Sequence, residues 1–306
     1  MLVRDGVKLL THTFGDYTFA PHAVYPSVSA AVGQQTWDYV VVTTKALPDR
    51  SDDAALIAPL VKPTTCIVLI QNGVGVEAPY RTRFPSNPIV SAVTVISAEQ
   101  ISLGTIRQNR WTRIHLGPYS NSAALEAISG STPGASALKL EGACRANEIG
   151  DWWARLGGIR DVEVLDEIDL QMVRWHKLCI NAAFNPSAVL SGGRGNADMV
   201  LDSELREHLA AVMDEIWAAV PHILGREFPA DLASPERILK STEKNVGSKP
   251  SMLLDWECKR PMELEVILGN PVRIARTKGV TLPRMQTLYA LLKSAQTVRE
   301  EKKARL

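Results

Sequence analysis

The chain is poor in several features that would identify a class of protein at once. Its 306 residues include four cysteines, which are far apart in the sequence and form no CxxC or Cys/His pair: Cys66, Cys144, Cys179 and Cys258. This spacing argues against a disulfide framework and against a zinc site, so no metal ligands are predicted. The simplest interpretation is a protein of a reducing, intracellular compartment.

Excess charge of one sign and long apolar runs are also missing. The 34 Lys and Arg residues nearly cancel the 33 Asp and Glu residues, for a net charge of +1. The overall charge therefore gives no indication of a nucleic-acid partner or an acidic membrane surface. The longest apolar runs, TTCIVLIQN and IVSAVTVIS, are too short to span a bilayer, and MLVRDGVKLL does not resemble a signal peptide. We expect a cytoplasmic protein with no membrane partner.

The first half of the chain is rich in predicted strands. Short apolar segments recur there, at 38–44, 64–70, 87–97 and 112–117. Between the first two, residues 49–63 begin with Asp and Ser and end in proline, a pattern typical of a helix. Strand, helix, strand in this order predicts a parallel βαβ unit with a right-handed crossover. A loop rich in Ser, Gly and Pro is expected at 129–136.

The pattern changes near residue 165. From Asp166 onward helical periods dominate, and the chain shows no internal repeat. The length also suits two domains. We therefore predict an α/β domain over residues 1–165, with a parallel sheet, and an all-helical domain over residues 166–306.

A narrow polar stripe marks one predicted helix, RWHKLCINAAFNPSAVLSG at 174–192. Lys177, Asn181 and Asn185 recur at every fourth position, with Arg174 beside them, while apolar residues fill most of the remaining circumference. Such a stripe favours a helix that is buried on most sides and faces a wet cleft along one strip. The alternative is a core helix whose single exposed edge carries these polar residues.

A glycine-rich turn, NGVGVEA at 72–78, follows a predicted strand. Gly73, Gly75 and Ala78 match the dinucleotide-binding pattern, and Glu99 lies at the expected distance beyond them. The turn is open to three interpretations: a pyrophosphate site, a turn that contacts another part of a ligand, or a purely structural turn. Pro79, which crowds the helix start, argues against the first.

Four separated segments together resemble the ketopantoate reductase (2-dehydropantoate 2-reductase) family. They are VVVTTKA at 40–46, IQNGVGVE at 70–77, the segment at 174–192, and SMLLDWECKRPMELEVILGN at 251–270. The resemblance implies a Rossmann domain followed by a helical domain, with reduction of a 2-keto acid by NADPH in the cleft between them. It also implies that Gly73 and Gly75 belong to a later loop than the pyrophosphate loop.

The resemblance assigns roles to individual residues. It implies that Lys177 is the general acid and that Glu263 holds the lysine and the substrate hydroxyl. It places the substrate beside Asn181, Asn185 and Ser251. The cofactor would contact four residues of the first half: Lys45, Asn72, Gly73 and Gly75.

Each of three assignments has a simpler alternative from the sequence alone. Glu263 in PMELEV would be a solvated carboxylate on a helix, Ser251 a helix N-cap, and Lys45 a loop lysine. We keep these alternatives open for the structure.

Members of the family begin with a strand and a GxGxxG loop, roughly thirty residues that would precede MLVRDGVKLL. We expect the sheet to be an incomplete Rossmann-like sheet, and we expect the chain to bind NADPH very weakly or not at all. Two rival functions follow: a binding protein without catalysis, and a reductase of a different 2-keto acid. The sequence gives no indication of the oligomeric state.

Overall fold

The computed structural model describes residues 6–120 and 135–304. The strands of these residues form one sheet, with these bounds: β1 Val7–Thr11, β2 Tyr17–Phe19, β3 Tyr39–Val42, β4 Cys66–Ile70, β5 Ile89–Ser102, β6 Thr105–Pro118 and β7 Val162–Val164. Their spatial order is β2-β1-β6-β5-β4-β3, and β7 also pairs with β6. The α/β architecture predicted for the first half is confirmed.

The sheet is mixed. β3, β4 and β5 run parallel, with Val40 beside Ile67 and Ile67 beside Ile89, as the predicted βαβ unit requires. β5 and β6 form a long antiparallel hairpin, because the two residues between them leave room only for a tight turn. β6 is parallel to both β1 and β7, and β1 is antiparallel to β2. The parallel sheet predicted from the sequence is therefore interrupted between β5 and β6, which pair antiparallel.

Helices cover the sheet on both faces. They are α1 Val28–Ala31, α2 Asp53–Ile57, α3 Ala78–Arg83 and α4 Ala135–Arg155, with a 3₁₀ turn at Ala58–Leu60 after α2. α2 and the 3₁₀ turn lie within the helix predicted at 49–63, and Asp52 caps α2 by accepting from the amide of Ala55. Most of the loop expected at 129–136 lies outside the described residues.

Strand β4 lies at the centre of two apolar layers. It is apolar along its whole length, and four of its residues are fully buried. Ile67 and Leu69 pack with the core beneath α2 and α3, whereas Cys66 and Val68 pack with the core beneath α4. Alternate side chains of one strand thus serve both faces, which explains why its sequence is continuously apolar rather than alternating.

The second half is helical. Its helices are α5 Glu167–Leu190, α6 Asn196–Leu201, α7 Ser203–Leu224, α8 Pro235–Thr242, α9 Ser251–Glu257, α10 Asn270–Thr277 and α11 Pro283–Ala304, with a π-helical turn at Glu265–Gly269 that runs into α10. Together they enclose the largest apolar cluster. The change from strands to helices falls between β7 and α5, and Asp166 caps α5 by accepting from the amide of Asp169. The domain limits at 165 and 166 stay a prediction.

No helix among residues 6–120 and 135–304 is both long enough and apolar enough to cross a membrane. The same residues contain no group of His, Cys, Asp and Glu arranged to hold a metal ion.

Candidate active site

The polar stripe of α5 faces the carboxyl ends of the parallel strands. Arg174 and Asn185 are buried, and Lys177 and Asn181 are partly buried. The alternative of an exposed polar edge is therefore wrong. Most apolar residues of α5 are buried. Arg174 and Lys177 donate to groups of the sheet domain, so the stripe is where this helix meets that domain.

Lys177 lies at the centre of this meeting point. Its Nζ donates to Oδ1 of Asn72 at 2.8 Å and to the carbonyl of Thr94 at 2.6 Å. Burial lowers the pKa of Lys177 to about 8, helped by the positive charge of Arg174 and opposed by the negative charge of Glu263. An amine with a pKa near neutrality is suited to giving and taking a proton at physiological pH.

The sequence predicted a helix at Glu263, and this prediction is wrong. Glu263 lies in the non-helical segment just before the π-helical turn. Pro261 lacks an amide hydrogen, and the helical turns begin only after Glu263. The side chain is only 7% exposed, so the alternative of a solvated carboxylate is also wrong. Burial raises the pKa of Glu263, and the amide of Ala46, which donates to Oε1 at 3.2 Å, opposes this rise.

Asn72 links the lysine and the carboxylate. It accepts from Lys177 through Oδ1, and its polar side chain also lowers the pKa of the Glu263 carboxyl. The structure therefore brings together three of the predicted site residues, from three different segments of the chain.

The predicted substrate residues are placed unequally. Asn181 lines the same small cavity as Lys177 and Asn72. Asn185 is buried one helical turn further on, and its Nδ2 has no hydrogen-bond partner. Ser251 is exposed as the first residue of α9, and Pro250, not Ser251, occupies the N-cap position. No hydrogen bond of the described residues joins Ser251 to the Lys177 cluster.

Gly73 is placed where a side chain would not fit. Its φ is +89°, and a Cβ there would lie 2.5 Å from the carbonyl oxygen of Val266. The next amide, of Val74, donates to that same oxygen at 2.8 Å. Gly75 has φ +71° and faces Asn270, which donates to the carbonyl of Val74. The glycine turn thus docks the sheet domain onto the helical half, whatever else it contacts.

Lys45 follows β3 and reaches across to the helical half. Its Nζ forms an ion pair with Asp255 of α9, a buried carboxylate that also pairs with Arg260 at 3.0 Å. The Lys45 side chain is 42% exposed, so one side of its ammonium remains open to solvent. Lys45 thus lies in a loop, as its alternative interpretation has it, and its contact with a cofactor stays a prediction.

A cavity of about 1000 Å³ opens beside the Lys45 turn. Its wall includes Ala46, Gln71 and Gly75, and Arg83 and Arg273 lie at its edge. Oε1 of Gln71 is buried there without a hydrogen-bond partner. The volume suits a cofactor-sized ligand. Lys177 lies outside this cavity, on the other side of the glycine turn, in a cleft of about 10 Å³.

Two functional contacts were missed at the level of sequence. Asp255 in LLDWE has an apolar residue on each side, and this pattern of an isolated acid in an apolar segment is a signal for a buried carboxylate. The amide of Ala46 could not be recognised from the sequence, because almost every residue has a backbone N–H and the residue type does not show where it points.

Comparisons with known proteins identify the family to which the sequence and the fold correspond. The family model described as ketopantoate reductase PanE/ApbA matches residues 1–121, and the model of its C-terminal part matches residues 169–296. A 2-dehydropantoate 2-reductase of Nostoc is 27% identical, over 95% of this chain and 82% of that protein. An uncharacterized protein of Saccharomyces cerevisiae is 30% identical, over 94% of this chain and 80% of its own length.

A solved structure is similar over almost the whole chain. The crystal structure of 2-dehydropantoate 2-reductase from Methylococcus capsulatus has a TM-score of 0.78 and 31% identity, and the alignment covers 97% of this chain and 86% of that one. A D-mandelate dehydrogenase with 16% identity shares the fold, with a TM-score of 0.72. The two family models cover most of the sequence, and we conclude that this chain belongs to the ketopantoate reductase family.

Proposed function

We propose that the protein reduces 2-dehydropantoate, or a closely related 2-keto acid, with NADPH. The observation that carries this proposal is the partly buried Lys177, whose pKa is lowered to about 8 by desolvation and which donates a hydrogen bond to Asn72. Reduction of a ketone places negative charge on its oxygen, and a buried ammonium at that oxygen stabilises the charge and supplies the proton.

The described residues fit the cofactor in part. The cavity of about 1000 Å³ has the size for it. Of the four predicted cofactor residues Gly75 lines this cavity, and so do Ala46 and Gln71, the chain neighbours of Lys45 and Asn72. When bound, NADPH supplies a hydride. Lys45 would hold a phosphate with the open side of its ammonium, and Asn72 would contact the nicotinamide end. The two glycines would let the backbone approach the ligand closely.

The substrate would lie beside the α5 stripe. Asn181 and Asn185 present amide donors to a carboxylate or hydroxyl, and the unpaired Nδ2 of Asn185 is a donor without an internal partner. A buried donor of this kind costs free energy until a ligand satisfies it. Ser251 would reach the substrate carboxylate only if α9 approaches the cleft more closely when the ligand binds.

Lys177 and Glu263 would act as a pair. The lysine gives its proton to the oxygen of the new hydroxyl group, and the carboxylate accepts from that hydroxyl and holds the ammonium in place. Because burial already lowers the pKa of Lys177, loss of the proton costs less free energy than it would in water.

The direct test is NADPH oxidation with 2-dehydropantoate and a panel of other 2-keto acids. We expect turnover with at least one of them, and Lys177→Ala should lower kcat about a hundredfold or more. The matched control is Lys249→Ala, which removes an exposed lysine paired with Glu257 and should leave kcat unchanged. Unchanged turnover in Lys177→Ala would remove the lysine from the mechanism. Binding of a keto acid without turnover would favour the binding protein.

A further inference from the structure

Arg174 is a buried cation one helical turn before Lys177. It is 3% exposed and lies entirely among groups of the sheet domain. Its Nη1 donates to the carbonyl of Gln71 at 3.0 Å and to that of Gly73 at 2.9 Å. These two carbonyls stand on either side of Asn72, so one guanidinium nitrogen fixes the backbone on both sides of the residue that accepts from Lys177.

The other nitrogens of Arg174 attach to the neighbouring strand and helix. Nη2 donates to Oγ of Ser91 at 2.5 Å and to the carbonyl of Ala92 at 3.2 Å. Nε lies 3.1 Å from Oε1 of Glu77, in an ion pair without hydrogen-bond geometry in which both side chains are at most 2% exposed. A planar fork with several donors can hold separate backbone segments in one arrangement, which a lysine cannot do.

We propose that Arg174 is a positioning residue for the reduction: its guanidinium holds the Asn72 turn against Lys177, and its charge acts on the lysine. The proposal deepens the proposed function and rests on Lys177 as the proton donor. Arg174 itself does not touch the reacting atoms, because its nitrogens are occupied by the carbonyls and side chains of the sheet domain.

Two charged groups act on Lys177, and they oppose each other. On its own helix, Arg174 lowers the pKa of the lysine, and from the segment before the π-helical turn Glu263 raises it. The groups that face Lys177 from β5 and from the glycine turn are neutral acceptors, the carbonyl of Thr94 and the amide of Asn72. Removal of the arginine charge should therefore shift the titration of Lys177 upward.

The hydrogen bond between Lys177 and Asn72 depends on geometry more strongly than the effect of the Arg174 charge does. Catalysis by a positioned acid is sensitive to displacements on the order of an ångström. Without the fork, the carbonyls of Gln71 and Gly73 lose their buried donors, and the backbone on both sides of Asn72 loses the group that fixes it.

The test uses two variants that separate charge from geometry. Arg174→Lys keeps the charge and loses the fork. The double variant Arg174→Met/Glu77→Gln removes both buried charges together, so that no unpaired charge is left in the core. The matched control is Arg81→Met, because Arg81 is also a buried arginine that donates to backbone carbonyls of the sheet domain, away from Lys177.

The first readout needs no activity. Acylation of Lys177 as a function of pH, followed by mass spectrometry of its peptide, gives the titration midpoint of the amine. In the double variant we expect the midpoint to rise, because the charge that lowers the pKa of Lys177 is gone. In Arg174→Lys and Arg81→Met it should stay as in the parent protein.

The second readout is the split between kcat and KM. Both Arg174 variants should lower kcat about tenfold or more with a smaller change in KM for the keto acid, whereas Arg81→Met should lower only the unfolding midpoint. If the Arg174 variants match Arg81→Met in both readouts, the proposal is overturned. If the parent protein reduces no keto acid but the Lys177 midpoint still shifts, the proposed function fails and the electrostatic role of Arg174 stands. If the double variant does not fold, an unchanged kcat in Arg174→Lys overturns the positioning role.

Discussion

At the scale of single residues, the central group of the site is the side chain of Lys177, whose charged form is destabilised by the folded protein. Lys177 loses most of its hydration, and its two hydrogen-bond partners are neutral groups. The compensation comes from Glu263, whose negative charge raises the pKa of the lysine, but burial and Arg174 outweigh it. A residue that costs stability and is retained in a cleft is typical of a functional site.

The first prediction concerns this cost. The pKa of Lys177 is about 8 in the folded protein, below the ordinary value of 10.5. At pH values below about 8 the protonated lysine therefore lowers the free energy of unfolding by its full penalty. That penalty declines as the pH rises from the folded pKa toward the unfolded one. Between about pH 7 and about pH 9 the parent protein should therefore gain about 1 kcal/mol of unfolding free energy relative to Lys177→Met. Urea unfolding of both proteins at the two pH values measures this, and a difference independent of pH would contradict it.

The second prediction concerns the pH profile of turnover. The general acid is competent while protonated, so kcat/KM should fall as the pH rises through the pKa of Lys177. Glu263→Gln removes a charge that raises this pKa, and the alkaline fall should therefore move to lower pH, with a lower maximum rate. Glu265→Gln is the matched control, because Glu265 pairs instead with Arg273 and Lys293. An alkaline limb that does not move in Glu263→Gln would show that another group titrates.

At the scale of elements, the glycine turn after β4 and the π-helical turn before α10 are fitted to each other. Val74 donates to Val266, and Asn270 donates back to Val74. The π-helical turn lies where the helical half receives the backbone of the sheet domain, in keeping with the frequent occurrence of such turns at functional sites.

The third prediction tests this fit. Gly73→Ala adds a Cβ within 2.5 Å of the Val266 carbonyl at a φ of +89°, and should destabilise the protein by about 3 kcal/mol or more. Gly225→Ala is the matched control, because Gly225 has φ +71° but nothing within 4 Å of the added atom, and it should cost only about 1 kcal/mol. Chemical unfolding of the two variants compares them, and equal losses would mean that the close approach does not matter.

The elements show how far sequence patterns carry. The sequence predicted β3, β4, α2 and α5 from the periodicity of apolar residues and from capping residues, because these signals are local. The direction of β6 was not evident from its own residues, since it depends on the short turn that joins it to β5. The sequence predicted a helix at Glu263 because PMELEV has helical composition. In the structure the backbone at Glu263 is not helical, and its carboxylate accepts from Ala46, a residue far away in the sequence.

At the scale of the whole molecule, the two halves are joined by polar contacts that surround the cleft. Arg174 binds the Asn72 turn, Ala46 donates to Glu263, and Lys45 pairs with Asp255. The resemblance to a family predicted that Lys177, Asn72 and Glu263 would meet here. It did not predict Arg174 or the amide of Ala46, and the sequence could not show that Lys45 has a carboxylate partner. We infer that the site forms only when the halves dock, so binding at the cleft and docking of the halves are coupled.

The last prediction concerns the ion pair that spans the halves. Asp255 is buried and serves two cations, whereas the Lys45 side chain is 42% exposed and water can solvate it when its partner is lost. Lys45→Met leaves the buried carboxylate with one partner fewer, whereas Asp255→Asn leaves cations that water can solvate. Lys45→Met should therefore destabilise the protein at least as much as Asp255→Asn, with a coupling energy of about 1 kcal/mol in the double-mutant cycle.

The control cycle is the exposed pair Lys249 and Glu257, which lies within the helical half and should show a smaller coupling.

Unfolding followed by tryptophan fluorescence and by far-ultraviolet circular dichroism should give one coincident transition in the parent protein, because each half carries tryptophans and the contacts join them. If the two probes separate already in the parent, the halves unfold independently. The pair would then hold the cleft closed without contributing to a common folding unit.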